Sequence, residues 1–175
     1  VKEPLESLIE ARLLLKNNFT TAAFLHSIIS IEVGIKAVAI KPILYSLTID
    51  SNAGDVLYKH TFKQKSLQYI PKFYYQILKD TTKLDFETIY RENSNLSIWK
   101  EWNVLQGLRN SIVHQGIFVE KADAEKAINI ASYVCEEIIP IILDKFLYHI
   151  EDNAIQDGSR EYIKKNRKFN KNTDR

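Results

Sequence analysis

The run Leu108-Arg109-Asn110-Ser111-Ile112-Val113-His114-Gln115-Gly116 holds the residues best suited to chemistry. A histidine gives or takes a proton near neutral pH. An arginine offers a planar fork of donors that fits a phosphate and spreads positive charge over a developing phosphorane. An asparagine orients the imidazole or binds a phosphate oxygen. Arg109, Asn110 and His114 together suit metal-free cleavage of RNA, in which a 2′-hydroxyl attacks the adjacent phosphate. On a helix, residues four apart differ by about 40°, so Asn110 and His114 share a face. Arg109 stands about 140° from His114. Either its long side chain swings toward the same ligand, or the ligand lies across a subunit seam. An ordinary surface histidine at an exposed helix end is the plain alternative.

The elements that must position these residues are helices. Apolar residues make up 45% of the 175-residue chain, and Gly (5) and Pro (4) are too few for the turns of an all-β protein. A first helix runs from Pro4 and Leu5 to Asn17-Asn18. Thr20 or Thr21 caps a second, central helix that Pro42 ends. Its apolar positions, from Phe24 to Ile40, leave few sides for water. A loop is expected over 46–56, helix over 58–79 broken at Pro71, and a short helix at Phe86–Tyr90. The next helix, Ile98–His114, starts from Asn95 or Ser97 and stops at Gly116, where a left-handed residue fits. The last runs from Ala122 to about Ile150 and should kink at Pro140, which removes a backbone bond. The expectation is an all-α bundle of about five helices, with no strand. It divides into a helical domain, 1–150, and a polar basic tail, 151–175.

Charge and composition narrow the partners. Residues 160–175 hold seven Lys/Arg and two acidic residues; subtracting that +5 from the chain's +2 leaves residues 1–159 at −3. Only the tail is a basic nucleic-acid surface. No run of about 18 apolar residues exists for a membrane span. Cys135 stands alone, so no intramolecular disulfide forms, and a reducing, cytoplasmic setting fits. No His/Asp/Glu set makes a metal site, and no Gly-rich phosphate loop or Ser-centred elbow is present, so neither metal nor cofactor is expected. The chain starts at Val1 and has no Met, as a domain cut from a longer polypeptide would.

Other residues carry two readings each. Glu32 interrupts an apolar helix, and buried charge needs a partner. It pairs with Lys36 one turn on, or it orients Arg109. His60 with Lys63 and Lys65 faces phosphate or is a solvated helix face. His26 is a core or rim histidine, His149 a surface one, and Cys135 structural. Trp99 and Trp102 supply core or dimer packing, or base stacking; Tyr69, Phe73, Tyr74 and Tyr75 pack in the core or stack on bases.

The sequence resembles the HEPN superfamily of helical domains, found in toxins, abortive-infection systems and RNA nucleases. Its signature, Arg and then His four to six residues on with a polar residue after the Arg, reads here Arg109-Asn110-Ser111-Ile112-Val113-His114. Phe24-Leu25-His26-Ser27-Ile28-Ile29-Ser30-Ile31-Glu32-Val33-Gly34-Ile35-Lys36-Ala37 resembles the family's central helix, where a Glu and a Lys recur at this spacing. Where some family toxins carry a Tyr two residues after the His, this chain has Gly116. The resemblance covers roughly residues 1–150. It implies a metal-independent endoribonuclease of toxin or phage-defence type. Arg109 and His114 would be catalytic with Asn110 in support, Glu32 and Lys36 behind them, and RNA the substrate. It further implies a homodimer in which two Arg–His motifs meet, with an antitoxin or another domain of a longer polypeptide as partner. The alternative within the resemblance is a non-catalytic dimerisation or nucleotide/partner-binding module.

Overall fold

Pro4 stands in the first turn of helix α1 (Glu3–Lys16), where its missing N–H costs no bond. This is a computed structural model that describes residues 3–40, 72–145, 148–151 and 154–157, with Asn52, Ala53 and Val56 besides. The end of α1 is set by Asn18, which takes the left-handed conformation (φ 63°) that asparagine tolerates. Two bonds close it: Asn18 N–H to Leu15 O and Phe19 N–H to Leu14 O, both 2.9 Å. Helix α2 (Thr20–Gly34) follows and runs into a wide, π-type turn, Ile35–Ile40. It is the central helix: Ala23, Phe24, Ser27, Ile28, Ser30, Ile31 and Gly34 are all buried. Helix α1 and the later helix over Lys121–Tyr133 cover it.

Helix α3 (Lys72–Thr82) begins directly after Pro71. The short helix expected at Phe86–Tyr90 is one turn only. Asp85 closes it, its Oδ1 accepting from Glu87 N–H at 3.0 Å and its carbonyl from Thr88 N–H at 2.9 Å. A side chain that pairs with its own following backbone competes with helix. Helix α4 (Ile98–Gln115) ends at Gly116, left-handed at φ 67° as the glycine predicts.

The last helix is long. Helix α5 (Lys121–Tyr133) continues through a second wide turn, Val134–Ile138, into α6 (Ile139–Lys145). At Pro140, where the sequence predicts a kink, the helical run continues through this wide turn. Proline cannot donate to the carbonyl four residues back, and the ladder shifts register ahead of it, so that Ile139 N–H reaches Val134 O, five residues away. Counted as continuous runs, the described residues build five helices around one core, the all-α bundle the sequence predicts. At its C-terminal end the expectation of helix to Ile150 and no strand is corrected. Tyr148–Glu151 (β1) and Ala154–Asp157 (β2) pair antiparallel, Ile150 opposite Ile155, and the pair spans the boundary expected at 150/151. The loop expected over 46–56 lies outside the described residues apart from Asn52, Ala53 and Val56, which are helical. His60, Lys63, Lys65, Tyr69 and the tail beyond 157 also lie outside them.

The core is tight at Gly34. A Cβ there would lie 2.6 Å from Ile139 Cδ1 and 3.5 Å from Pro4 Cβ. Both Gly34 and Ile139 are buried, so the end of α2 packs closely on the long helix at Ile139 because one residue has no side chain. The nearest atom is the tip of a side chain, so Gly34→Ala should lose at most about 1 kcal/mol, overpacking of about 1–2 kcal/mol set against the helix-propensity gain of about 1 kcal/mol. In an Ile139→Val background, which removes the clashing Cδ1, the same substitution should be neutral or stabilising. Urea unfolding of the four proteins measures the coupling, and strictly additive losses would contradict the contact.

Candidate active site

Helix α4 carries the Arg–His motif, and three tethers fix it. At its start, Ile98 N–H bonds Ile89 O (2.9 Å) and Trp99 N–H bonds Phe86 O (3.0 Å). Ser97 stands at the expected cap position with extended backbone, but its hydroxyl makes no cap bond. In its first turn Glu101 is only 2% exposed and holds Arg91 through two bonds, Nε to Oε2 at 2.8 Å and Nη2 to Oε1 at 2.7 Å. Ser94 Oγ donates a third bond to Glu101 Oε1 at 2.8 Å. Burial pushes the Glu101 carboxyl upward. The Arg91 guanidinium and the Ser94 hydroxyl outweigh it and hold it below the ordinary glutamate range. In return the hydrogen bond to Glu101 raises Arg91. At mid-helix, buried Gln106 donates from Nε2 to Glu32 Oε1 on α2 at 3.1 Å.

The motif begins where this anchoring ends. Arg109 follows Gln106 on the core-facing side of α4 and is half-buried. Its Nη1 donates to Asn110 Oδ1 at 3.3 Å. Asn110 is half-buried, and His114 is exposed on the same outer face, with Asn103 and Gly107 a few turns earlier. The structure thus joins Arg109 to Asn110. Among the described residues no hydrogen bond or ion pair joins either to His114. Glu32 takes the local pairing: its Oε2 lies 3.8 Å from Lys36 Nζ, and Gln106, not Arg109, reaches its other oxygen. Glu32 therefore meets α4 at Gln106, one turn before Arg109, and Lys36 pairs with Glu32.

Beyond His114 the chain leaves the helix at Gly116, whose N–H bonds Ile112 O at 3.0 Å. Thr20 and Thr21 then catch it. The Thr20 hydroxyl donates to Val119 O at 2.6 Å, and Val119 N–H donates to Thr21 Oγ1 at 3.0 Å. This corrects the capping role expected for these threonines. Phe19 occupies the cap position of α2 with no side-chain cap bond, and the two hydroxyls satisfy a loop nearly 100 residues away instead. Val119 is buried, whereas Val113, Ile117 and Phe118 around it are exposed.

The two tryptophans and Cys135 settle as packing. Trp102 is buried and Trp99 packs partly buried against the core, so neither supplies an open stacking ring. Phe73, Tyr74 and Tyr75 fall on α3. Cys135 is buried 3.1 Å from Ser30 Oγ, which donates to Pro4 O at 2.7 Å; burial pushes its thiol up, as an inert structural cysteine requires. Buried His26 Nδ1, Ser97 Oγ and Trp102 Nε1 find no hydrogen-bond partner. Among the described residues no three His, Cys, Asp or Glu side chains gather as a metal site, and no helix is long and apolar enough to cross a membrane. The Arg91–Glu101 pair escaped the sequence reading, although its signal was there. Glu101 falls in the apolar stripe Ile98, Trp102, Leu105, where a carboxylate needs a cation. Compared with known proteins, the chain matches no family model, no curated protein and no solved structure.

Glu101→Gln leaves the Arg91 guanidinium without its counter-ion, so the variant should lose about 3 kcal/mol or more at pH 7. A depressed folded-state pKa contributes stability above the unfolded value, about pH 4.3, and loses it as the pH falls through the folded one. The gap between wild type and variant should therefore close in acid below that point. Thermal unfolding from pH 7 to pH 3 measures it, and a gap independent of pH would contradict the pair's role.

Proposed function

We propose that this chain is a metal-independent endoribonuclease of the HEPN type, of the kind used in toxin or phage-defence systems. The observation that carries the reading is the end of α4. There Arg109, steadied by Asn110, and an exposed His114 stand on a helix tethered by Arg91–Glu101 and Gln106–Glu32. His114 serves as general base or acid, taking the 2′-hydroxyl proton or protonating the leaving 5′-oxygen. Arg109 binds the scissile phosphate and stabilises its added charge, and Asn110 holds the guanidinium in line. The 2′-oxygen bonds to phosphorus as the P–O5′ bond breaks, leaving a 2′,3′-cyclic phosphate and a 5′-hydroxyl. The setting that goes with this activity is cytoplasmic, with an antitoxin or a further domain controlling it.

One chain is not a complete cleft, since His114 lies on open surface. A twofold dimer through the outer face of α4 would supply the missing wall. Asn103, Gly107, Asn110 and His114 share that face, and a Cβ built on Gly107 meets nothing within 4 Å. A glycine there lets two helices approach, and the twofold doubles the positive charge opposite the phosphate. This replaces Trp99 and Trp102 as the source of the contact. The second reading, a non-catalytic dimerisation or nucleotide/partner-binding module, draws on the exposure of His114.

RNA cleavage should persist in chelator and fall at least about a hundredfold in His114→Ala. Chelator-sensitive cutting, or an alanine variant as active as wild type, rejects the nuclease reading. Gly107 supplies a separate check. Gly107→Ala should stabilise the single chain by about 0.5–1 kcal/mol while weakening the dimer. Gly107→Arg should reduce the sedimenting species from near twice 20.3 kDa to the single chain and abolish cleavage. A Gly107→Arg protein that stays dimeric and active would place the seam elsewhere.

A further inference from the structure

Two phenylalanines lie open to solvent on the two loops that the threonine clamp ties together. Phe118 is 92% exposed and Phe19 is 62% exposed. Each is one peptide step, about 3.8 Å in Cα spacing, from the clamp. Phe118 precedes Val119, whose N–H and C=O are both held by threonine hydroxyls. Phe19 precedes Thr20, which makes one of those bonds. Neither ring sits on slack backbone. Phe19 donates its N–H to Leu14 O and accepts from Ala23 N–H on its carbonyl, both at 2.9 Å. Phe118 is pinned between the Gly116 N–H bond to Ile112 O and the buried Val119.

Single exposed apolar residues are ordinary, but two phenylalanines displayed on backbone held by the same clamp offer flat apolar faces for a ligand to cover. The surroundings say which. Phe118 comes four residues after His114, and cations flank both rings. Lys16 lies three residues before Phe19 and Lys121 three residues after Phe118, with Arg109 on the adjoining helix end and Glu120 the one acid between. The Lys121 ammonium reaches Glu125 only at 3.9 Å in an exposed pair, which leaves it available to a phosphate. Rings for stacking among cations for the backbone are how single strands are bound without sequence preference.

We propose that Phe19 and Phe118 form a stacking platform for the bases of single-stranded RNA, seating the strand so that one of its phosphates lies at Arg109 and His114. The proposal rests on the nuclease reading for its strand but not for its test. Base-paired RNA hides the faces the rings would use, so the platform selects unpaired segments.

The test uses the full chain and a ten-nucleotide oligouridylate with 2′-O-methyl riboses, which cannot be cleaved, carrying one 2-aminopurine. Wild type and His114→Ala should both bind it and quench its fluorescence. Phe19→Leu and Phe118→Leu, which keep an apolar side chain but lose the ring, should each bind at least about fivefold more weakly and lose the quench, while Phe118→Trp keeps both. Leucine variants that bind as tightly as wild type overturn the platform. So do leucine variants whose sedimentation drops from dimer to single chain, because the rings would then serve a second copy of the protein. If the platform fails while wild type still cuts unmodified RNA, the nuclease reading stands alone. Ring-dependent quenching by a wild type that cuts nothing leaves the platform and removes the nuclease.

Discussion

A helix that is apolar on nearly every side must be covered on nearly every side, and α2 is that helix. Burial of its Phe24, Ile28 and Ile31 sets where the neighbouring helices lie. Gly34 then lets Ile139 press into its end, and Ser30 returns its hydroxyl to Pro4 and Cys135. The polar atoms α2 does carry become struts. Thr20 and Thr21 hold the loop after α4, and Glu32 holds α4 itself through Gln106. The Arg–His motif is therefore positioned from behind by polar contacts with this central helix.

Much of this architecture is legible in residue types that act locally. Pro4, Gly116 and Pro140 mark a helix start, a stop and a shift of the hydrogen-bond ladder because each changes what its own backbone can do. The apolar spacing of Phe24 to Ile35 shows burial for the same reason. What escaped depends on partners far along the chain. Thr20 and Thr21 are good caps in isolation, yet Val119 competes for their hydroxyls and wins. Phe86–Tyr90 has a helix former's pattern, but Asp85 closes one turn and Trp99 N–H takes the Phe86 carbonyl. The paired strands at 148–157 show a different gap. Asp152 and Asn153, the two residues between them, are turn formers, and apolar-polar alternation over four residues is too short to separate from helix.

The candidate site divides along the same line. Arg109, Asn110 and His114 are legible because their chemistry and their spacing on one helix are local facts. The Arg109–Asn110 bond follows from adjacency. Whether Glu32 served Lys36 or Arg109 could not be read from spacing alone, because the answer depends on buried Gln106 one turn earlier on α4. The exposure of Phe118 was equally hidden. Only the clamp on Val119 shows that the next ring is held out to solvent and not folded away.

The central claim is that Arg109 of one chain and His114 of another can act on one phosphate across a twofold seam. It is tested most directly by mixing two inactive proteins. Arg109→Ala and His114→Ala are each purified, combined at equal concentration, allowed to exchange subunits, and assayed on single-stranded RNA in chelator. A shared seam predicts that each variant alone is nearly inactive and that the mixture regains a substantial part of wild-type cleavage, because the mixed dimer holds one intact Arg and one intact His. A mixture no more active than its components, from proteins shown to exchange subunits, would contradict it.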